Sequence, residues 1–240
     1  MSASPPQTPR HVALIPAAGI GLRVGGPLPK QYLALGTRSM LEWSVDALCA
    51  APWIERVVVV VAPDDQRAAM LLHGRARVEV LARGGATRRD SVLAGLRSLM
   101  RRHDAHDWVL VHDAARPALD AAALERLRGA VSASRVGGLL ALPVGDTVKR
   151  TAGDRRSVAA TVDREGLWAA QTPQMFRLGL LLDALAAHAD VTDEASAVER
   201  NGHAPLLVEG ARSNFKVTSA EDVALMRLVL ASRTGEAQPR

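Results

Sequence analysis

Four runs in the first half of the chain, HVALIP (11–16), RVVVVVA (56–62), RVEVLA (77–82) and WVLVHD (108–113), are largely apolar and rich in valine. A strand with one wet face alternates polar and apolar residues. Runs without that alternation belong to strands buried on both faces. GGLLALPV (137–144) adds a fifth of the same character. Amphipathic helical patterns lie between them, near 39–50, 64–73, 88–102 and 120–134. This alternation predicts an α/β fold, Rossmann-like, with a mostly parallel central sheet covered by helices on both sides. Right-handed crossovers then line up the loops that follow the strands along one edge, where ligands of such sheets bind. Three suggestive loops follow strands: AAGIGLRVGGPLPK (17–30), RGGATRRDS (83–91) and DAARP (113–117). They are expected to converge in space.

The texture changes after Pro143. DTVKR (146–150) and SVAATVDR (157–164) read as the two sides of a hairpin across TAGDRR (151–156). So exposed an excursion has little core of its own. Residues 146–166 are therefore expected to form a protruding β-arm, either a lid or a dimerisation element. Helical patterns return at 178–188 and 193–201, followed by strand-like APLLVEG and SNFKVTS and a last helix over 219–232. Ser219 with Asp222 has the spacing of a capping box for that helix. The economical organisation is one domain, 11–232, between a disordered N-terminus (1–10) and a flexible C-terminus (233–240).

Composition narrows the function classes. A net charge of +5 could suit nucleic acid, but the basic residues are interleaved with acids and aromatics are only 3%. That argues against a stacking platform or basic arm and for small polyanions such as nucleotides and sugar phosphates. The single cysteine, Cys49, excludes a disulfide framework and a cysteine-rich metal site. MSASPPQTPR lacks the apolar core of a signal peptide, and no stretch is long enough to span a bilayer. A cytoplasmic protein is expected.

The opening loop holds glycines at 19, 21, 25 and 26 and two cations, Arg23 and Lys30. Gly19 and Gly21 would let backbone N–H groups face phosphate oxygens. The loop is not a dinucleotide fingerprint, because Val24 stands where the third small residue belongs, and no P-loop Gly-Lys-Ser/Thr follows. A structural loop with incidental charges is the alternative. In GGATRRDSV, Thr87 with Asp90 forms a second capping-box pattern, leaving the glycines and Ser91 as candidates for ligand contact. Asp113 ends a very apolar strand, where a carboxylate commonly serves Mg²⁺ or a hydroxyl group. Arg116 offers a fork for phosphate. His112 is given no role. The chain keeps lysine at only three places, Lys30, Lys149 and Lys216, in a background of arginine, which suggests a need for compact point charge. Chance is the competing account. No nucleophile elbow or Cys/His pair appears, so electrostatic catalysis on phosphates is favoured over covalent chemistry.

Taken together, PAAGIGLRVGGPLPKQYLALG, GGATRRDSV, VLVHDAARP, PVGDTVK, TVDREGLWAAQTPQMF, TDEASAVE, LVEG and NFKVT resemble the 2-C-methyl-D-erythritol 4-phosphate cytidylyltransferase family of the non-mevalonate isoprenoid pathway. The likeness runs over about residues 11–232. It implies a nucleotidyltransferase that joins CTP to methylerythritol phosphate, with Mg²⁺, releasing pyrophosphate. The family's transition-state stabilisers fall on Arg23 and Lys30. Residues that position the second substrate fall on Arg164 and Lys216, with Thr147, Arg116 and Thr192 as further contributors. Cytosine and ribose contacts fall on Ala17, Gly19, Gly85, Ser91, Asp113 and Ala114, and Ala18 and Gly21 complete the nucleotide loop. Asp113 is the expected metal ligand. Family members are homodimers whose arms cross, so Arg164 and Thr147 would serve a partner's site. Two small departures are Leu22 before Arg23, where some members have a second arginine, and Ala86 beside the base pocket. Rival readings are a sugar-phosphate nucleotidyltransferase, a nicotinamide dehydrogenase and a nucleic-acid-binding protein.

Overall fold

In a computed structural model, residues 8–19, 28–153 and 155–234 are described. The strands are β1 (His11–Pro16), β2 (Ala34–Leu35), β3 (Arg38–Ser39), β4 (Arg56–Val61), β5 (Val78–Ala82), β6 (Trp108–Val111), β7 (Gly137–Pro143), β8 (Val148–Thr151), β9 (Val158–Val162), β10 (Trp168–Arg177) and β11 (Leu206–Glu209). The helices are α1 (Met40–Cys49), α2 (Arg67–Leu71), α3 (Arg88–Leu99), α4 (Ala121–Val131), α5 (Leu178–Ala187), α6 (Glu194–Arg200) and α7 (Ala220–Thr234).

Among the described residues, seven strands form one sheet in the order β11-β7-β10-β6-β1-β4-β5. Successive side chains of a strand point to opposite faces, and each valine-rich run accordingly feeds two cores. Ala13, Ile15, Val57 and Val59 pack with Leu41, Val45, Leu124 and Leu127 of α1 and α4. Val12, Leu14, Val58 and Val60 pack with Val92, Leu96 and Leu181 of α3 and α5 on the other side. That is why those runs lack polar alternation. A third cluster joins Leu35, Met40, Ala115 and Ala118 to Val217, Met226 and Leu230, seating α7 against the segments that border the strand ends.

The strands foreseen at the sheet centre are present and parallel, β1 pairing with β4 and β6. What the sequence did not signal is β10. It runs antiparallel between β6 and β7, with its register shifted between Ala170 and Gln174. Its residues, WAAQTPQMFR, carry two glutamines and a proline and lack the apolar signature of a central strand. Gln171, Thr172 and Gln174 are nonetheless buried there, each satisfied by side-chain hydrogen bonds. SNFKVTS forms no strand: a 3₁₀ turn covers Arg212–Asn214, and Asn214 is held by Gln171 and the Thr172 carbonyl.

The hairpin forms as expected, β8 pairing antiparallel with β9 as a separate two-stranded sheet of largely exposed residues. The capping boxes at Thr87/Asp90 and Ser219/Asp222 are both present. Order reaches slightly beyond the expected domain limits. Arg10 is pinned through its backbone N–H and guanidinium to the buried Asp107, and α7 continues to Thr234.

Candidate active site

The expected convergence at the sheet edge is seen. Ala17 continues β1 by donating to the Val60 carbonyl, and Gly84 donates to that of Val61, both at 2.7 Å. Around them opens a cleft of about 260 Å³. Ala17, Ala18, Gly19, Lys30, Gly85, Ser91, Asp113, Ala114 and Lys216 all line it. Arg23 and Gly21, expected beside them, lie outside the described residues.

The end of the opening loop is fastened from two sides. Lys30–Tyr32 makes a single 3₁₀ turn. The buried Gln31 side chain donates to the Ala17 carbonyl at 2.9 Å, tying the turn to the end of β1. Lys30 Nζ donates to the Val217 carbonyl at 2.5 Å, and the Val217 N–H donates to the Ala115 carbonyl at 2.8 Å. The Pro-Lys-Gln ending thus fixes where an ammonium group enters the cleft.

Close backbone approach accounts for the second loop's glycines. A Cβ on Gly84 would stand 2.3 Å from the Ala18 Cβ and 2.8 Å from the Val61 carbonyl oxygen. One on Gly85 would meet the Asp90 Cβ at 2.4 Å. None of these distances is attainable by a real Cβ, so glycine at 84 lets this loop lie against the first one and glycine at 85 lets it fold onto the start of α3. Gly85 N–H also donates to Ser91 Oγ, which in turn donates to the Thr87 carbonyl, fixing the hydroxyl's direction.

Asp113 is the electrostatic centre. Its Oδ1 accepts from Arg88 Nε at 2.8 Å and its Oδ2 faces Lys216 Nζ at 2.7 Å. Burial opposes the charged form, but Arg88 and Lys216 outweigh it and hold the carboxyl well below the usual range. Its backbone N–H donates to Thr172 Oγ1, which also meets His112 Nδ1 at 3.0 Å, while His112 Nε2 lies 3.1 Å from the Arg116 carbonyl. Burial, offset in part by Asp113, lowers the His112 pKa to about 4. The imidazole is therefore neutral at physiological pH, with a structural role that the sequence did not reveal.

Four expected residues do not line the cleft. Arg116 directs its fork at the Asn214 and Ala170 carbonyls. Thr192 is exposed and donates to Ser196 Oγ. Thr147 and Arg164 flank the hairpin, both exposed, with Arg164 Nη1 donating to the Gly145 carbonyl. Conversely, Arg88 lines the cleft and the buried Glu194 pairs with it from behind, neither having been singled out. Both stood inside quoted motifs, GGATRRDSV and TDEASAVE, but residue type alone did not distinguish them from their neighbours.

A divalent cation finds little of its own here. Both Asp113 oxygens already face a cation, and among the described residues no three His, Cys, Asp or Glu side chains come together as a metal site. The described residues thus offer no preformed cage of protein ligands, and the Asp113 carboxylate is engaged with Arg88 and Lys216.

Tight glycine turns packed at the strand ends, with Lys30, Arg88 and Lys216 gathered around one ionised carboxylate, define an α/β protein whose cleft lies where such sheets bind ligands and is suited to an anion. Comparison with known proteins narrows this. The model of the 2-C-methyl-D-erythritol 4-phosphate cytidylyltransferase family matches residues 11–232. A 2-C-methyl-D-erythritol 4-phosphate cytidylyltransferase from Chromobacterium violaceum is 53% identical over 224 residues, 92% of this chain and 98% of that one. One from Bordetella petrii is 54% identical over 220 residues, 90% and 96% of the two chains. A crystal structure of 4-diphosphocytidyl-2C-methyl-D-erythritol synthase superposes with a TM-score of 0.84 at 41% identity, covering 94% of this chain and all of that one. The Thermus thermophilus cytidylyltransferase superposes with a TM-score of 0.76 at 31% identity, covering 92% and 98%. The chain belongs to the 2-C-methyl-D-erythritol 4-phosphate cytidylyltransferase family.

Proposed function

We propose that this chain transfers the cytidylyl group of CTP to 2-C-methyl-D-erythritol 4-phosphate, giving the CDP-alcohol and pyrophosphate in the non-mevalonate route to isoprenoid precursors. The observation that carries the reading is the family match over nearly the whole chain, with Lys30, Asp113 and Lys216 gathered on one cleft. An oxygen of the alcohol phosphate forms a bond to the CTP α-phosphorus as the bond to the departing pyrophosphate breaks. The protein contributes alignment and charge to such a substitution, with no covalent intermediate of its own. Lys30, with Arg23 from the same loop, offsets charge gathering on the α-phosphate. Backbone of Ala17, Ala18, Gly19 and Gly85, with Ser91, borders the base and sugar. Asp113, kept ionised, accepts hydrogen bonds from ribose hydroxyls.

Lys216 draws the alcohol phosphate toward the same point. Arg164, Thr147, Thr192 and Arg116 are assigned to that substrate on the family resemblance. Thr147 and Arg164 sit at the base of an exposed hairpin instead of in this chain's own cleft, which supports a homodimer in which each arm reaches the other subunit's site. Exposed apolar side chains on and beside the hairpin, Val158 and Trp168, support the same assembly. Mg²⁺ is proposed as the required cation, entering on the triphosphate, since this ion takes much of its shell from phosphate and water. It would neutralise phosphate charge there. Among the described residues no helix is long and apolar enough to cross a membrane; a cytoplasmic location is proposed.

The test is pyrophosphate release, with CTP set against the other nucleoside triphosphates and methylerythritol phosphate set against sugar and alditol phosphates. Strong preference for the proposed pair is expected. Equal or faster turnover with a sugar phosphate would reassign the substrate.

A further inference from the structure

We propose that Arg88 and Glu194 are positioning residues for nucleotide binding: Glu194 aims the Arg88 fork so that it holds Asp113 in place at the cleft. The inference rests on the nucleotide-binding reading of that cleft. Glu194 is fully buried, and Arg88 donates to it through both terminal nitrogens, Nη1 to Oε1 at 2.6 Å and Nη2 to Oε2 at 3.0 Å. A carboxylate removed from water in this way requires a paired cation. The bidentate pairing also fixes the plane of the guanidinium. With both terminal nitrogens engaged, Nε is the donor directed at Asp113 Oδ1, leaving Oδ2 toward Lys216.

Each partner sits on a braced backbone. Arg88 is the first residue of α3, directly after the Thr87 cap. Glu194 is the first residue of α6, whose start is capped by Asp193 and tied to β10: Gln174 donates to Asp193 and accepts from the Ala195 N–H. A lysine at 88 would carry the charge but could not span two carboxylates with fixed geometry. The neighbouring Arg89 turns away to the Leu185 and His188 carbonyls, so the arrangement belongs to Arg88 itself.

A merely structural ion pair would predict the same contacts, and an apolar pair of similar volume separates the two cases. Such replacements commonly preserve or raise stability, but they cannot orient Asp113. Full-length wild type, Glu194→Gln and the double variant Arg88→Met/Glu194→Leu are compared for the Kd of CTP by calorimetry, for KM and kcat, and for Tm. Glu194→Gln is expected to weaken CTP by roughly tenfold to a hundredfold, the range for one misaligned charge-assisted hydrogen bond, with kcat changed by less than about threefold. The double variant should fold yet remain as weak toward CTP. Wild-type affinity in either variant would overturn the proposal, as would a double variant unable to fold, which would make the pair a folding element. Absence of pyrophosphate release by wild type would instead count against the function from which the inference starts.

Discussion

Lys30 and Lys216 are far apart in sequence, yet the Lys30 ammonium is bonded to the carbonyl of the residue next to Lys216. Two compact charges therefore share one short stretch of backbone at the cleft wall. A developing charge on phosphorus is best met by groups already held in place. Lys30→Ala should lower kcat by about 10²–10³, comparable to removal of one preorganised transition-state donor. Tm should change little, because the Gln31 anchor survives. Steady-state pyrophosphate release and a thermal melt check this; turnover within about threefold of wild type would remove Lys30 from the chemistry. At this scale the sequence was informative where a residue type was rare. Lysine scarcity singled out both lysines, whereas Arg88 was hidden among many arginines. Its distinction from Arg89 is one of direction, set by a helix start and by a carboxylate from a distant helix.

At the scale of elements, the β8–β9 hairpin was legible because two β-patterned runs flank a turn-rich middle. The central strand β10 was not. Strand recognition depends on apolar periodicity, and β10 buries amides and a threonine whose partners come from other elements. The same strand carries Thr172, which supports Asp113, so part of the site was missed together with part of the sheet. The hairpin's own function is testable by mixing chains. If arms exchange, co-expressing Lys30→Ala chains with Arg164→Ala chains should restore about a quarter of the wild-type rate, from random pairing in a two-fold dimer. Each mixed dimer would then hold one site with both residues intact. Activity no greater than that of the separate variants would show that Arg164 acts within its own chain or not at all.

Across the whole molecule, the sheet performs two tasks at the same edge: its strand ends gather the loops, and its interior keeps polar groups dry behind them. His112 joins the two tasks, since it is fully buried, contacts Thr172 and the Arg116 carbonyl, and lies beside the Asp113 carboxylate. Burial favours the neutral ring, and its pKa falls to about 4 from an ordinary 6.5. When the chain unfolds, the ring regains its ordinary affinity for protons. Between those two values the unfolded state binds the extra proton, so stability is complete above about pH 6.5 and declines as the pH falls toward 4. The loss between pH 7 and pH 5 from this one group is about 2 kcal/mol. Denaturant titrations at the two pH values should show it as a drop in wild type that is smaller by that amount in His112→Gln, whose amide does not titrate. Equal drops in the two proteins would mean that the ring is already free to take up a proton in the folded state, and the dry support beneath Asp113 would have to be abandoned.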